Sequence, residues 1–505
     1  MNKMSTLFSI YFLLLFSLAY SKISELSYTI DLKNAKQNIF IVNLQFTSDK
    51  NGVEDFYISK WTPGYYQILD FDKNVKNIEC FTDDKKKEFT KLNDNTWRIS
   101  VSKNEKIKMR YEVIAQSKFI AKPYINEEYA FIRPTGIFIF PDIKENTHIK
   151  VSFLNNPWND VATGLAKNNS YLQANNIDEL LDSPILIGNL DKLNTFQIKE
   201  KNHYFLGREL NDFDTKDFIE NVKKIVSTAT NLMQDIPYND YTFISIGKGN
   251  GGIEQTNSTA LTFNGELYKT YEGKQKLLNF ITHEYFHHFN VKRIRPIELG
   301  PFNYSGINRT SSLWVSEGLT VYYEGIIMNR AGIKSREQLI KDWSKMINMY
   351  ENNEGKNYQS LANSSLHTWE DGPFGIKGKT ISFYEKGPLI GMLLDIKIRN
   401  NSNNQYSLDD VMRKLYKLYY KKMNRGFTES EIRKICEEYS NEDLSEIFSY
   451  IYNLEPIDYN KYLNLAGLNL NFSSKEGKII YELRILENQN PLQTKINKDL
   501  FREIQ

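Results

Sequence analysis

Residues 278–289 read Leu278-Asn279-Phe280-Ile281-Thr282-His283-Glu284-Tyr285-Phe286-His287-His288-Phe289. Leu278, Ile281, Tyr285 and Phe289 recur at steps of three and four, which predicts a helix with one apolar stripe. His283 and His287 stand one turn apart on another side of that helix, so both imidazoles reach a single metal ion. Glu284, one step round, reaches a water at that ion as its base. His288 points about 100° away from His287 and reads as structural. The chain has six histidines in 505 residues, and three of them fall in this stretch.

A catalytic zinc site takes three protein ligands and keeps a fourth position open. Trp314-Val315-Ser316-Glu317-Gly318 opens a second helical segment that continues Leu319-Thr320-Val321-Tyr322-Tyr323-Glu324. Glu317 completes a two-histidine, one-carboxylate set for one Zn²⁺ ion. Glu324 lies two turns further along the same face. It can accept a hydrogen bond from a ligand histidine, or it is an ordinary exposed helix glutamate.

Upstream of this motif the period of the sequence changes. Leu26, Tyr28, Ile30 and Leu32 alternate with polar residues, as do Phe40, Val42, Leu44 and Phe46, and again Ile107, Met109, Tyr111 and Val113. Turn signals such as Pro63-Gly64 and Asn155-Asn156-Pro157 separate these runs, so the first part of the mature chain reads as a β-sandwich. From about Phe205 helical spacing appears: a helix over 217–236, a short strand over 241–246, a loop with Gly247, Gly249, Gly251 and Gly252, then helices from 274 to 453. Ser407 is an expected N-cap, and Thr428 with Glu431 an expected capping box. The tyrosine-rich stretch 415–420 reads as core. Fewer than fifty residues follow Tyr459, too few for a well-cored further domain.

Composition narrows the class. Apolar residues make up 41% and charged residues 25%, the balance of a folded soluble protein. The net charge of +2 gives no basis for nucleic-acid binding. Two cysteines, Cys80 and Cys436, exclude a disulfide framework and a Cys-rich zinc site. Lys3, the apolar run 7–18 and the small residues of Ala19-Tyr20-Ser21 read as a signal peptide cleaved after Ser21, with no other membrane span. The alternative is an uncleaved anchor. Localisation is therefore expected to be secreted or periplasmic. Seven Asn-x-Ser/Thr sequons occur, at Asn168, Asn257, Asn303, Asn308, Asn363, Asn400 and Asn471.

The pairing of HEYFH with WVSEGLTVYYE resembles the gluzincin zinc metallopeptidases, whose catalytic domain is thermolysin-like. The whole chain resembles the glycyl aminopeptidase family in particular. Trp61-Thr62-Pro63-Gly64-Tyr65-Tyr66 is similar to its β-domain motif, Gly251-Gly252-Ile253-Glu254-Gln255 to its Gly-Gly-x-Glu loop, and Phe383-Tyr384-Glu385-Lys386-Gly387 to its Tyr-x-Lys-Gly segment. The likeness runs from about 24 to 467 in collinear order. It departs at the end, where such proteins usually carry a PDZ domain.

The resemblance implies a multidomain α+β fold: signal peptide 1–21, N-terminal β-sandwich 22–200, thermolysin-like zinc catalytic domain 201–400, C-terminal helical domain 401–458 and a short tail 459–505. It implies zinc bound by His283, His287 and Glu317, and Glu284 as general base. It also implies that the Tyr384 phenol donates to the oxyanion, a task it performs without adding charge; the alternative is a core tyrosine opening a helix. Glu254 is implied to bind the free amine of a peptide substrate, with Gly251 and Gly252 letting the substrate backbone approach. A glycan on Asn257 would crowd that cleft, so the sequon is expected to stay bare. The expected activity is removal of small N-terminal residues, such as Gly or Ala, from peptides. The alternatives are a zinc endopeptidase or other zinc hydrolase on the same scaffold, and a non-catalytic surface binding protein. Oligomeric state has no signal in the sequence.

Overall fold

The computed structural model describes residues 26–142, 147–475 and 478–502, so the expected signal segment lies outside the described residues. Strands dominate the first part. The alternation at Leu26, Tyr28 and Ile30 buries all three, and the strand Leu26–Asp31 pairs antiparallel with Ile39–Thr47 and parallel with Ile149–Leu154. Ile39–Thr47 in turn pairs with Lys106–Ile114, whose Ile107, Met109, Tyr111 and Val113 are buried. These strands centre an eight-stranded sheet whose apolar face shares one core with two four-stranded sheets. Tyr28 and Tyr111 keep their hydroxyls satisfied inside that core by donating to Ile139 O (2.8 Å) and Ile137 O (3.0 Å).

A further sheet follows, running from Asp191–Lys192 through Lys201–Arg208, Asp240–Ile246 and Ser258–Leu261 to the edge strand Gly252–Glu254. Lys201–Arg208, Asp240–Ile246 and Ser258–Leu261 are mutually parallel, while Gly252–Glu254 runs antiparallel to Ser258–Leu261. Asp240–Ile246 is buried on both faces: Tyr241 and Phe243 enter the helical core, whereas Ile244 and Ile246 enter the sandwich core. The sheet is thus a shared wall between the two. Trp61 and Tyr66 cross the other way, from the β-rich part into the helical core.

Helices pack on the far side of this wall. Thr215–Met233 starts at Asp214, whose side chain accepts from Asp217 N, and Tyr271–Phe286 starts at Thr270, which accepts from Gly273 N. Leu319–Arg330 and Phe383–Asn401 cross beside it, the latter opened by a capping box of Ser382 and Glu385. Leu408–Leu415 and Glu429–Ser440 follow, with boxes at Ser407/Asp410 and Thr428/Glu431. Tyr416 and Tyr419 of the tyrosine-rich stretch are buried. The chain then forms a hairpin, Leu468–Lys475 with Lys478–Ile485, and a helix, Pro491–Leu500, that place Leu468, Leu483, Ile496, Leu500 and Phe501 in the main core. Asn348 on the helix Arg336–Glu351 and Asn352 at its C-cap hydrogen-bond the outer edge of the second hairpin strand. The described residues contain no helix long and apolar enough to cross a membrane.

Candidate metal centre

His283 and His287 project from the last turn of Tyr271–Phe286 and its cap, and their Nε2 atoms lie 2.9 Å apart. Glu317 Oε2 is 3.6 Å from His283 Nε2 and 3.2 Å from His287 Nε2. One donor atom from each of the three residues falls within 4.8 Å of the others. The outer nitrogens are already engaged. His287 Nδ1 donates to Asn290 O at 3.0 Å, and His283 Nδ1 sits 3.3 Å from Glu324 Oε2. Such partners fix the tautomer and leave both Nε2 lone pairs facing one point.

Glu317 is delivered by a wide π-helical turn, Trp314–Gly318, that runs into Leu319–Arg330. The turn leaves carbonyls without helical donors, and Asn290 supplies them: its Nδ2 donates to Val315 O (2.7 Å), Ser316 O (3.0 Å) and Thr320 Oγ1 (2.9 Å). Asn290 thereby ties the histidine helix to the Glu317 turn. Tyr384, near the start of Phe383–Asn401, donates its hydroxyl to Glu317 Oε2 at 2.9 Å. This helix lies against the Glu317 turn at two glycines, where a Cβ on Gly387 would come within 2.8 Å of Gly318 Cα.

The field at the site favours a cation. Burial opposes charge on His283, yet hydrogen bonds to Glu317 and Glu324 outweigh it and hold the imidazole well above its ordinary pKa. Burial likewise opposes charge on His287, and Glu317 raises it. Burial opposes ionisation of Glu317 too, but the two histidines hold its carboxyl well below the usual range. Glu284 behaves in the opposite sense: burial pushes it up to about 7 against the pull of His283 and His287. Its Oε2 is buried with no hydrogen-bond partner among the described residues. Gly252 lies directly against this carboxylate, since a Cβ there would stand 2.5 Å from Glu284 Cδ. Two imidazole nitrogens and a carboxylate, oriented from behind and set in a negative pocket, fit a zinc ion with one side open.

Glu254 lies beyond His287. It is only 4% exposed, its Oε1 has no hydrogen-bond partner among the described residues, and Gly64 of the Trp61–Tyr66 segment lies against it. Lys292 Nζ stands 3.8 Å from Glu254 Oε1 but is held by Asp182 Oδ1 at 2.7 Å. His288 is fully buried against Tyr238, Tyr241 and Tyr285 and takes no part in the donor cluster. Asn257, the sequon expected to stay bare, is half-buried. Its Oδ1 accepts from Arg293 Nη2 at 3.3 Å, and it lines a separate cavity of about 950 Å³ bounded by Asp160, Lys192 and Asp240 rather than the metal cleft. Asn290, Lys292 and Asp182 had no signal in the sequence, because each acts through a contact made only after folding.

The model for the Peptidase M61 N-terminal domain matches residues 27–189, and the model for M61 glycyl aminopeptidase matches residues 276–390. Together they span more than half of the chain. The chain belongs to the M61 glycyl aminopeptidase family. This M61 chain is accordingly a zinc metallopeptidase, a hydrolase. Its fold is similar to that of an aminopeptidase N family protein from Idiomarina loihiensis, with TM-score 0.82, 24% identity and coverage of 88% of this chain and 79% of that one. It is also similar to Legionella pneumophila aminopeptidase A in complex with aspartic acid, with TM-score 0.54, 13% identity and coverage of 85% and 49%. A variant of the M1 zinc metallopeptidase from Deinococcus radiodurans, bound to a Tyr-Ser-Ala substrate, gives TM-score 0.52, 9% identity and coverage of 86% and 94%. At these identities the three structures establish the shared fold. No curated protein matches the chain.

Proposed function

We propose that this M61 protein is an exported zinc aminopeptidase that removes small N-terminal residues, such as Gly or Ala, from peptides. The observation that carries the reading is a buried, unpartnered Glu284 carboxylate oxygen beside the His283–His287–Glu317 donor set, on the wall of an open cleft. His283, His287 and Glu317 would hold one zinc ion, with Glu324 and Asn290 orienting the two imidazoles. When bound, zinc supplies Lewis acidity, lowering the pKa of water at its open position from about 15.7 to about 7 and polarising a carbonyl oxygen. Glu284 takes the proton of the attacking water and passes it to the leaving amine. Burial and Glu317 hold the Tyr384 phenol well above its ordinary pKa, so it stays protonated and donates to the developing oxyanion.

Glu254 receives the substrate's α-ammonium group. Its buried, spare acceptor oxygen supports that role, as does its place on the edge strand that carries Gly252. A peptide substrate is in keeping with the tripeptide on the Deinococcus enzyme. Export rests on the sequence of residues 1–21. The test compares Ala-p-nitroanilide with its N-acetylated analogue, using wild type, chelator-treated protein and Glu284→Gln. Glu284→Gln is expected to lose about 10²–10⁴-fold in kcat while keeping one equivalent of zinc. Turnover of the acetylated substrate at an equal rate would overturn the aminopeptidase reading, and absence of bound zinc would overturn the mechanism.

A further inference from the structure

The metal cleft does not end at the metal. Two further carboxylates flank the histidine helix: Glu324 stands at His283, while Glu254 approaches Lys292, beyond the helix end. His283, Glu284, Gly251 and Gly252 line a cavity of about 640 Å³ on the Glu324 side. That cavity shares Asn279, Glu324, Phe374 and Tyr384 with a second one of about 550 Å³. The second cavity is mostly apolar, walled by Val321, Leu339, Trp343, Met346, Met349 and Phe374. Glu324, Lys334, Asp342, Lys345 and Glu385 are also on its lining. Phe374 is 77% exposed and stacks on Tyr384, with ring centroids 5.6 Å apart. Met349 is 59% exposed. Two large apolar side chains in water beside a reaction centre suit a ligand that covers them.

We infer that this chamber is the subsite for the side chain of the peptide's second residue, the one just after the scissile bond, and that it selects a bulky apolar side chain there. The inference rests on the aminopeptidase reading above. It follows from strand direction. Gly252–Glu254 is an edge strand, and Gly252 faces Glu284 across the cleft. A peptide added antiparallel to that edge, with its amine at Glu254, runs back past Gly252 and Gly251 into the larger cavity. Its second side chain then meets the mouth shared with the apolar chamber. Asn279 stands at that mouth with a buried Oδ1 that has no partner among the described residues, available to accept from a substrate backbone N–H. The first residue is anchored through its amine at Glu254 and the second meets the chamber, so selectivity for the two is set by different walls.

The test uses full-length zinc-loaded protein and two peptides, Ala-Phe-Ala and Ala-Gly-Ala. Wild type is expected to show a kcat/KM at least about tenfold higher for Ala-Phe-Ala, the range that burial of one apolar side chain supports. Val321→Phe, which fills the chamber, and Met349→Glu, which charges its exposed rim, are each expected to compress that ratio to about threefold or less. Equal wild-type values for the two peptides, or a ratio unchanged in both variants, would overturn the inference. Calorimetric binding of both peptides to Glu284→Gln separates this question from catalysis. Ala-Phe-Ala binding no tighter than Ala-Gly-Ala would overturn the inference whatever the turnover. Tighter binding of Ala-Phe-Ala, with no cleavage by wild type, would sink the aminopeptidase reading and leave the chamber in place.

Discussion

Glu284, the proposed base, shows how much a single side chain owes to the residue facing it. Its carboxylate is packed against Gly252, where a methyl group would stand 2.5 Å from Glu284 Cδ. Both groups sit on ordered elements, a strand and a helix, so neither can retreat freely. Gly252→Ala is therefore expected to swing the carboxylate aside. kcat should fall about tenfold or more, while zinc content and thermal midpoint stay close to wild type. Steady-state kinetics beside metal analysis checks this; an unchanged kcat would show that the contact does not position the base. His283 and His287 were legible from spacing, because i and i+4 on a helix is local geometry. The glycine contact was not, since residues 252 and 284 meet only through the tertiary fold.

At the scale of elements, the site is the junction of two helical segments held by one amide. Asn290 satisfies Val315 O and Ser316 O inside the π-helical turn that presents Glu317, and its own carbonyl orients His287. Asn290→Ala removes the side-chain donor to Val315 O and leaves Ser316 O with the Thr320 hydroxyl alone, at a cost of ~1–3 kcal/mol. It also releases the Glu317 turn, so zinc affinity is expected to drop about 10–100-fold. Competition with a fluorescent chelator measures the affinity, and a urea transition measures the stability. Wild-type values of both would remove Asn290 from the site. The expected helices and capping boxes rest on residues near one another in the chain, which is why they could be read from it. A π turn inserts one residue whose cost is met by a partner from another element, and local pattern carries no trace of that partner.

Across the whole molecule the catalytic sheet is a wall with a core on each side, and its buried polar groups make stability depend on pH. His203 lies on Lys201–Arg208, fully buried, stacked on Phe196 and hydrogen-bonded with the Tyr238 hydroxyl at 2.8 Å. Burial lowers its pKa from 6.5 to about 4. Burial and the Arg293 charge also lower His288 well below its ordinary value. The folded-state value lies below the unfolded one, so between about pH 6.5 and 4 the unfolded chain binds more protons. The stabilisation is present above about 6.5 and declines as pH falls towards 4, by ~1.4 kcal/mol per unit of depression for each such group. Between pH 7 and 5 the unfolding free energy of zinc-loaded His203→Phe should fall less steeply than that of wild type, because the opposing contribution of Glu284, raised to about 7, is common to both. A slope unchanged by that variant would assign the pH dependence elsewhere.

The residues alone determined the helix that carries His283, Glu284 and His287, the segment that carries Glu317, the alternating strands of the sandwich and the capped helices beyond. Each depends on a period or a spacing within a few turns of chain, where backbone geometry fixes which side chains share a face. Tertiary structure alone decided the rest. It joined Asn290 to the Glu317 turn, set Gly252 on Glu284, moved Asn257 away from the metal cleft, and made one sheet the wall of two cores. It also opened the apolar chamber beside Tyr384, whose walls come from residues 321 to 384. Such contacts join residues far apart in the chain, and they exist only once packing has chosen among the many arrangements that the same local pattern allows.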